Sequence, residues 1–295
     1  MSNFYDAWQG IVDNTFPLCQ FNEYSANKSN LYGYRSDEFN GFEEGKKYLI
    51  TLGDSWCYCA GIPDFSKTWN FLLKEKLNCD YIYNLGISGA SIDYCARILF
   101  LLLNKYKPKG KIYLVCMFPS TLRTEFFENT GKYISNITSK DFLGSKNPIH
   151  TVTNLFIYRN FFKNEYNNLD RFLRNYNLID LLCKLHNIEL VWTDWRQNKQ
   201  LLPDKHLQEF YKNFCLKNKN YLDMTSYFAE NNIDFIPVSE IDLHPGVEMQ
   251  PKVAQLIFDF FTNSVKITPY SALARQNTDY EYSQEFENHH IKTTT

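Results

Sequence analysis

Three short apolar runs stand between residues 47 and 117, and the first two each lead through a glycine-bearing turn into a stretch of helical spacing. Lys47 to Leu52 stops at Gly53, and Ser66 to Leu77 follows with Trp69, Leu72, Leu73 and Leu77 on one helical face. Ser66 is placed to cap that helix. Asp80 to Asn84 runs into a glycine loop and a helix reaching about Tyr106, after which Pro108 and Gly110 break the chain. Lys111 to Met117 is the third run. Strand, turn and helix repeated with crossovers make a parallel sheet with helices on both faces. Few other architectures accept this order.

The rhythm lapses over residues 119–165, where Gly131, Gly144, Pro148 and several asparagines show no clean period. That stretch reads as an insertion near one end of the sheet, of the kind that forms lids or binding loops. The alternation then resumes with a helix over about 167–186, a strand at Ile188 to Trp192 and a helix near 206–217. A strand-like piece follows around Tyr221 or Ile233 to Val238, and Pro245 and Gly246 open a last helix ending near Phe261. The expected organisation is an irregular cap over 1–45, one domain over 46–262, and a polar tail over 263–295 too poor in aliphatics to bury itself.

A chain of 295 residues folded as one domain buries roughly three quarters of its unfolded surface, enough for a core without staples. The net charge of -2 and the lack of a basic run leave no electrostatic footprint for nucleic acid. Met1 to Gln20 carries Asp6 and Asp13 and has no basic start followed by an apolar stretch, so no signal peptide is expected. The longest apolar run, Ile98 to Leu103, is too short to span a bilayer, and a cytoplasmic protein away from membranes is expected. Without export signals the eight cysteines read as buried thiols. Cys57 and Cys59 form a C-x-C with no second pair at ligand spacing, so neither a metal nor another cofactor is expected. The abundance of Tyr and Phe reads first as coding bias.

Three loops carry residues fit for chemistry. Gly53-Asp54-Ser55 ends the first strand, where ligands gather in parallel α/β sheets. A serine there presents its hydroxyl to the crevice and its own N–H to a developing oxyanion. Asn84 to Gly89 ends the second strand, and its glycines let a backbone N–H approach a ligand oxygen. Asp242-Leu-His244-Pro245-Gly246 precedes the last helix. An imidazole there could take a serine's proton while a carboxylate fixes its tautomer. Taken singly, the first two are ordinary turns, and His244 could as well be a satisfied loop histidine. Converging on one crevice, they make a site.

Together these blocks resemble the SGNH, or GDSL-like, hydrolase family over about residues 47–261. Gly53-Asp54-Ser55 matches its first block, Asn84-Leu-Gly-Ile-Ser-Gly89 its second and His244-Pro245 its last. The resemblance implies an α/β, flavodoxin-like three-layer sandwich with a central parallel sheet of about five strands. It also implies ester hydrolysis with Ser55 as nucleophile, His244 as base and then acid, and the N–H groups of Ser55 and Gly89 as an oxyanion hole. Asp54, Asn84, Arg123 and Trp195 are candidate pocket residues; for Trp192, Trp195 and Arg196 a core or rim position is the plainer reading.

Two departures stand out. The family's G-x-N-D block, whose asparagine donates to the oxyanion, is replaced by Val115-Cys-Met-Phe-Pro-Ser-Thr-Leu-Arg123-Thr-Glu125. Losing such a donor costs roughly a hundredfold or more in rate; Ser120 or Thr121 could substitute with a hydroxyl, and Arg123 could place charge nearby. The plainer reading makes Arg123 and Glu125 a surface pair at a helix start. Secondly, the family's aspartate lies three residues before its histidine, where this chain has Ile241. Asp242 is the candidate in its place, Glu240 the second, and a backbone carbonyl alone could steady the imidazole.

The leading expectation is a serine esterase acting on a small-molecule or carbohydrate ester, with a carbohydrate O-deacetylase as the narrower form. An O-acyltransferase of the same fold uses the same chemistry with a sugar hydroxyl as acceptor. A non-catalytic binding or structural descendant is the third reading. Substrate and oligomeric state are not legible in the sequence.

Overall fold

The computed structural model describes residues 30, 34–121, 123, 125–127, 133–135, 164–194, 204–239, 242 and 244–264. Strand β1 (Lys47–Gly53) leads into the short helix α1 (Ser55–Tyr58), a 3₁₀ turn (Phe65–Lys67) and α2 (Trp69–Lys76). Then come β2 (Tyr81–Asn84), α3 (Ile92–Tyr106), β3 (Lys111–Met117), β4 (Glu125–Phe127) and β5 (Tyr133–Ser135). The chain goes on through α4 (Glu165–Leu185), β6 (Glu189–Thr193), α5 (Lys205–Lys217), α6 (Met224–Glu230) and α7 (Met249–Phe261).

The central sheet is parallel, in the order β2-β1-β3-β6. Beyond β6, Tyr221 forms a single parallel bridge with Trp192, its neighbours exchanging the bonds Trp192 N–H to Asn220 O and Leu222 N–H to Trp192 O. The expected fifth strand is thus present as a one-residue rudiment. The order reverses at β1, and in such sheets ligands collect beside the reversal, at the carboxyl ends of the strands.

Side chains alternate along each strand, so one strand feeds two cores. Tyr48, Ile50 and Leu52 of β1 and Ile112, Leu114 and Cys116 of β3 pack on one side, with α3, α4 and α5. Leu49, Tyr113, Val115 and Met117 pack on the other, with α2, α6 and α7. The outer edge of β2 is covered by residues 36 and 37. Asp37 takes the Ile82 N–H on its carboxylate and donates its own N–H to Ile82 O, while the Ser36 hydroxyl accepts from Asn84 N–H. A free sheet edge invites pairing with another chain, and this segment blocks it.

Some local expectations are corrected. Ser66 caps nothing: Asp64 takes both its N–H and its hydroxyl, confining residues 65–67 to a 3₁₀ turn, and α2 starts at Trp69. Pro245 and Gly246 lie in a hairpin-like loop and α7 starts at Met249. Helix α6 falls between the two places where a strand was expected, started by Asp223, whose carboxylate accepts from Ser226 N–H. Arg123 and Glu125 do not open a helix, since Glu125 begins the antiparallel pair β4–β5. Most of the expected insertion, of the expected tail and of the expected cap lies outside the described residues. The seven described cysteines are all buried free thiols. Among the described residues, no helix is long and apolar enough to cross a membrane, and no three His, Cys, Asp or Glu side chains gather as metal ligands.

Candidate active site

Ser55 is the first residue of α1, directly beyond the end of β1, and is almost buried at 6% exposure. Two glycines make this turn sterically possible. A Cβ on Gly53 would lie 2.3 Å from the Met117 carbonyl oxygen, and one on Gly86 would lie 2.7 Å from Tyr58 N. No side chain fits at either distance, so the loops after β1 and β2 close on each other only with glycine there.

Polar side chains then hold α1 from below. Asp54 Oδ1 accepts from Trp56 N–H at 3.0 Å. The Trp69 indole donates to Trp56 O at 3.1 Å and Asn70 Nδ2 to Cys57 O at 3.1 Å. The buried guanidinium of Arg35 reaches the carbonyls of Tyr58, Cys59, Ile62 and Pro63 at 2.7–3.4 Å. A helix this short leaves most of its carbonyls without intrahelical partners, and these donors satisfy them.

His244 arrives on the segment between α6 and α7. Val238 N–H donates to His244 O and Gly246 N–H to Ile236 O, each at 2.8 Å, clasping residues 236–238 against 244–246. Phe235 stacks on Trp56, with ring centroids 5.5 Å apart, which seats the loop against α1. Behind it the buried Gln250 donates through Nε2 to Pro245 O at 2.7 Å and accepts Trp69 N–H on Oε1 at 2.9 Å. One amide therefore ties the histidine loop to the start of α2, supplying the cap that Ser66 does not.

This scaffold brings three side chains into line. His244 Nε2 lies 2.7 Å from Ser55 Oγ, and His244 Nδ1 lies 2.5 Å from Asp242 Oδ1. Asp242 Oδ1 also accepts His244 N–H at 3.2 Å. Partial burial works to raise the Asp242 carboxyl, but the hydrogen bonds and charge of His244 outweigh it and hold the carboxyl below its ordinary value. An ionised Asp242 on Nδ1 keeps the proton there and leaves Nε2 to accept from the serine. Of the alternatives to Asp242, Glu240 and Ile241 lie outside the described residues.

The other candidates fall in several places. The loop after β2 runs beside the end of β1, with Ile87 N–H donating to Gly53 O at 3.2 Å, and Gly89 sits in it at φ +80°. Asn84 is fully buried and works inside the sheet end, its Oδ1 accepting from Thr51 Oγ1 and Gly86 N–H. Ser120 is nearly buried in the turn after β3, its carbonyl accepting Arg123 N–H at 3.1 Å. Asp54 is completely buried, and its Oδ2 lies 2.6 Å from Arg123 Nη1. Trp192 is buried in the core, while Trp195 and Arg196 lie outside the described residues. His186 ends α4 and His206 begins α5, neither on the loops that carry Ser55 and His244. Sequence reasoning missed Arg35, Asn70 and Gln250, which sit outside any motif; only Asn70, between Trp69 and Phe71, carries a local signal as a polar residue among apolar neighbours.

No family model matches the chain, and no curated protein does. Among solved structures, the chain is similar to a lipolytic protein of the G-D-S-L family from Desulfitobacterium hafniense, at TM-score 0.41 and 12% identity, covering 72% of this chain and 98% of that one. It is similar to a member of the lipolytic G-D-S-L family from Veillonella parvula, at TM-score 0.39 and 13% identity, over 73% and 98% of the two chains. The psychrotrophic esterase EstA from Pseudoalteromonas sp. follows at TM-score 0.37 and 15% identity, over 74% and 97%. Every one of these TM-scores is below 0.5, so what Ser55, His244 and Asp242 can do rests on their geometry.

Proposed function

We propose that this chain is a serine esterase working through an acyl-Ser55 intermediate. The observation that carries the proposal is the continuous hydrogen-bonded line from Asp242 through His244 to Ser55. In this reading Ser55 Oγ attacks the ester carbonyl carbon while its proton passes to His244 Nε2. The carbonyl π pair moves onto oxygen, where the backbone N–H groups of Ser55 and Gly89, with Ser120 as a further candidate, receive the charge. Collapse of the tetrahedral species expels the alcohol oxygen, which takes the proton from His244. A second hydroxyl, deprotonated by the same imidazole, then attacks the acyl carbon and frees Ser55. Asp242 stays ionised throughout and stabilises the imidazolium that forms twice per cycle.

With water as the second hydroxyl the protein is an esterase; with a sugar hydroxyl it is an O-acyltransferase. The substrate we favour is a small ester, an O-acetylated carbohydrate being the narrower form. Product analysis with and without an acceptor sugar separates hydrolysis from transfer.

The test of the reading itself is a fluorophosphonate probe, which reacts with activated serines. Wild-type protein should gain one adduct, on Ser55, and Ser55→Ala should gain none and lose at least about ten-thousandfold in ester turnover. Folded wild-type protein that takes no adduct and turns over no ester would return the chain to the non-catalytic reading.

A further inference from the structure

We propose that Arg123 is the third oxyanion donor, carried on the segment after β3 that lacks the asparagine of the family it resembles, its guanidinium held by the carboxylate of Asp54. The inference rests on the serine-esterase reading above and adds to it a residue and a device. Its starting point is the segment after β3. That segment lacks the asparagine, yet it returns to the nucleophile by another route.

Two anchors fix Arg123. From below, Arg171 of α4 donates through Nη2 to the carbonyls of Thr121 at 2.7 Å and of Arg123 itself at 3.1 Å, holding the backbone down. At the other end, Arg123 Nη1 lies 2.6 Å from Asp54 Oδ2, on the residue immediately before Ser55. Asp54 is fully buried and commits its second oxygen to Trp56 N–H, so its carboxylate has one oxygen for the guanidinium. The arginine is therefore set against the turn that bears the nucleophile, at the carboxyl edge of the sheet.

A guanidinium carries five N–H donors in a planar fork. Among the described residues Asp54 engages Nη1 of that fork, and the side chain keeps 21% of its surface exposed; in this proposal the other N–H donors of the fork are the ones that meet the substrate. Charge considerations favour an oxyanion over an anionic substrate as their target. Before reaction the Asp54–Arg123 pair is neutral overall and offers little attraction to a ground-state anion. When the carbonyl π pair moves onto oxygen, a charged donor gains more than a neutral amide would, since charge-assisted hydrogen bonds are about twice as strong. The pair of electrons returns to carbon as the leaving oxygen departs, and Arg123 neither gives nor takes a proton.

The bland alternative makes Arg123 a mere counter-ion for buried Asp54. Arg123→Lys separates the two roles, because lysine keeps a cation for Asp54 but not the rest of the fork. With p-nitrophenyl acetate as substrate and the full chain as enzyme, Arg123→Lys should lower kcat by about ten- to a hundredfold while KM changes by less than about threefold. Its thermal melt should overlay wild type. Arg123→Ala should lose about a hundredfold or more, and added guanidinium ion should restore part of that loss. Arg123→Lys turning over at the wild-type rate, or losing only in KM, overturns the proposal and leaves the esterase reading standing. Wild-type protein that neither hydrolyses the ester nor takes the fluorophosphonate overturns both.

Discussion

The two halves of the candidate site are built to different standards. Ser55 sits in a turn that is almost buried, pinned by glycines at van der Waals limits and by Arg35, Trp69 and Asn70 on the carbonyls beneath it. His244 and Asp242 are 26% and 38% exposed, on a loop held by two clasping backbone bonds, one ring stack and one glutamine. Ser55 is thus part of the core, whereas His244 leans in from the rim. Buried polar contacts are costly to lose, while half-exposed charge pairs contribute little to stability. Substitutions of the groups that hold Ser55 in place should act mainly through folding, and substitutions on the second side mainly through turnover.

Three measurements press on that contrast. The largest effect is expected from Asp242→Asn, which keeps the shape and removes the charge. Turnover should fall by about a hundred- to ten-thousandfold, because the imidazole loses both its tautomer control and its counter-charge. The melting temperature should stay within a few degrees of wild type. A large drop in melting temperature would show that the rim is as structural as the core.

Arg35→Met is the converse. Four carbonyls lose a charged donor at once, and stability should fall by about 3 kcal/mol in a denaturant titration. Turnover of the fraction that remains folded should change by less than about tenfold. A variant of full stability and no activity would place Arg35 in the chemistry and collapse the distinction.

The smallest effect is in the shape of the pH profile. Because Asp242 is held below its ordinary value in the folded chain, any stability it contributes is present above the ordinary carboxylate range and is lost only as pH falls through the lowered value. Down to there the carboxylate stays charged. The difference in unfolding free energy between wild type and Asp242→Asn, followed against pH, should therefore hold through the ordinary carboxylate range and close only below it. A difference that closes within the ordinary range means Asp242 gives up its charge there.

Much of this architecture was legible from residue order. The apolar runs at 47–52, 80–84, 111–117 and 188–192 are near-continuous because both sheet faces are covered, and all four became strands of the parallel sheet. The helix starting at Trp69 was misjudged because its first N–H is satisfied by Gln250, a tertiary cap that no local pattern announces. Strands β4 and β5 are three residues each, too short to show alternation. At the site, the approach of residues 55, 242 and 244 was expected from spaced motifs. The partner of Arg123 was not, since Asp54 lies 69 positions away and the nearer carboxylate, Glu125, offered a simpler pairing. Sequence separation hides such contacts while motif spacing reveals others.

The Gln250 bridge has a bearing on how the protein comes into being. Its amide joins positions 181 apart, and the imidazole it steadies meets a hydroxyl 189 positions upstream. A nascent chain can close its first strands, turn and glycine loop early in synthesis and still lack the partner of Ser55. The pairing of His244 with Ser55 waits until α7 has left the ribosome and docked, so two ends of one hydrogen bond are made far apart in time.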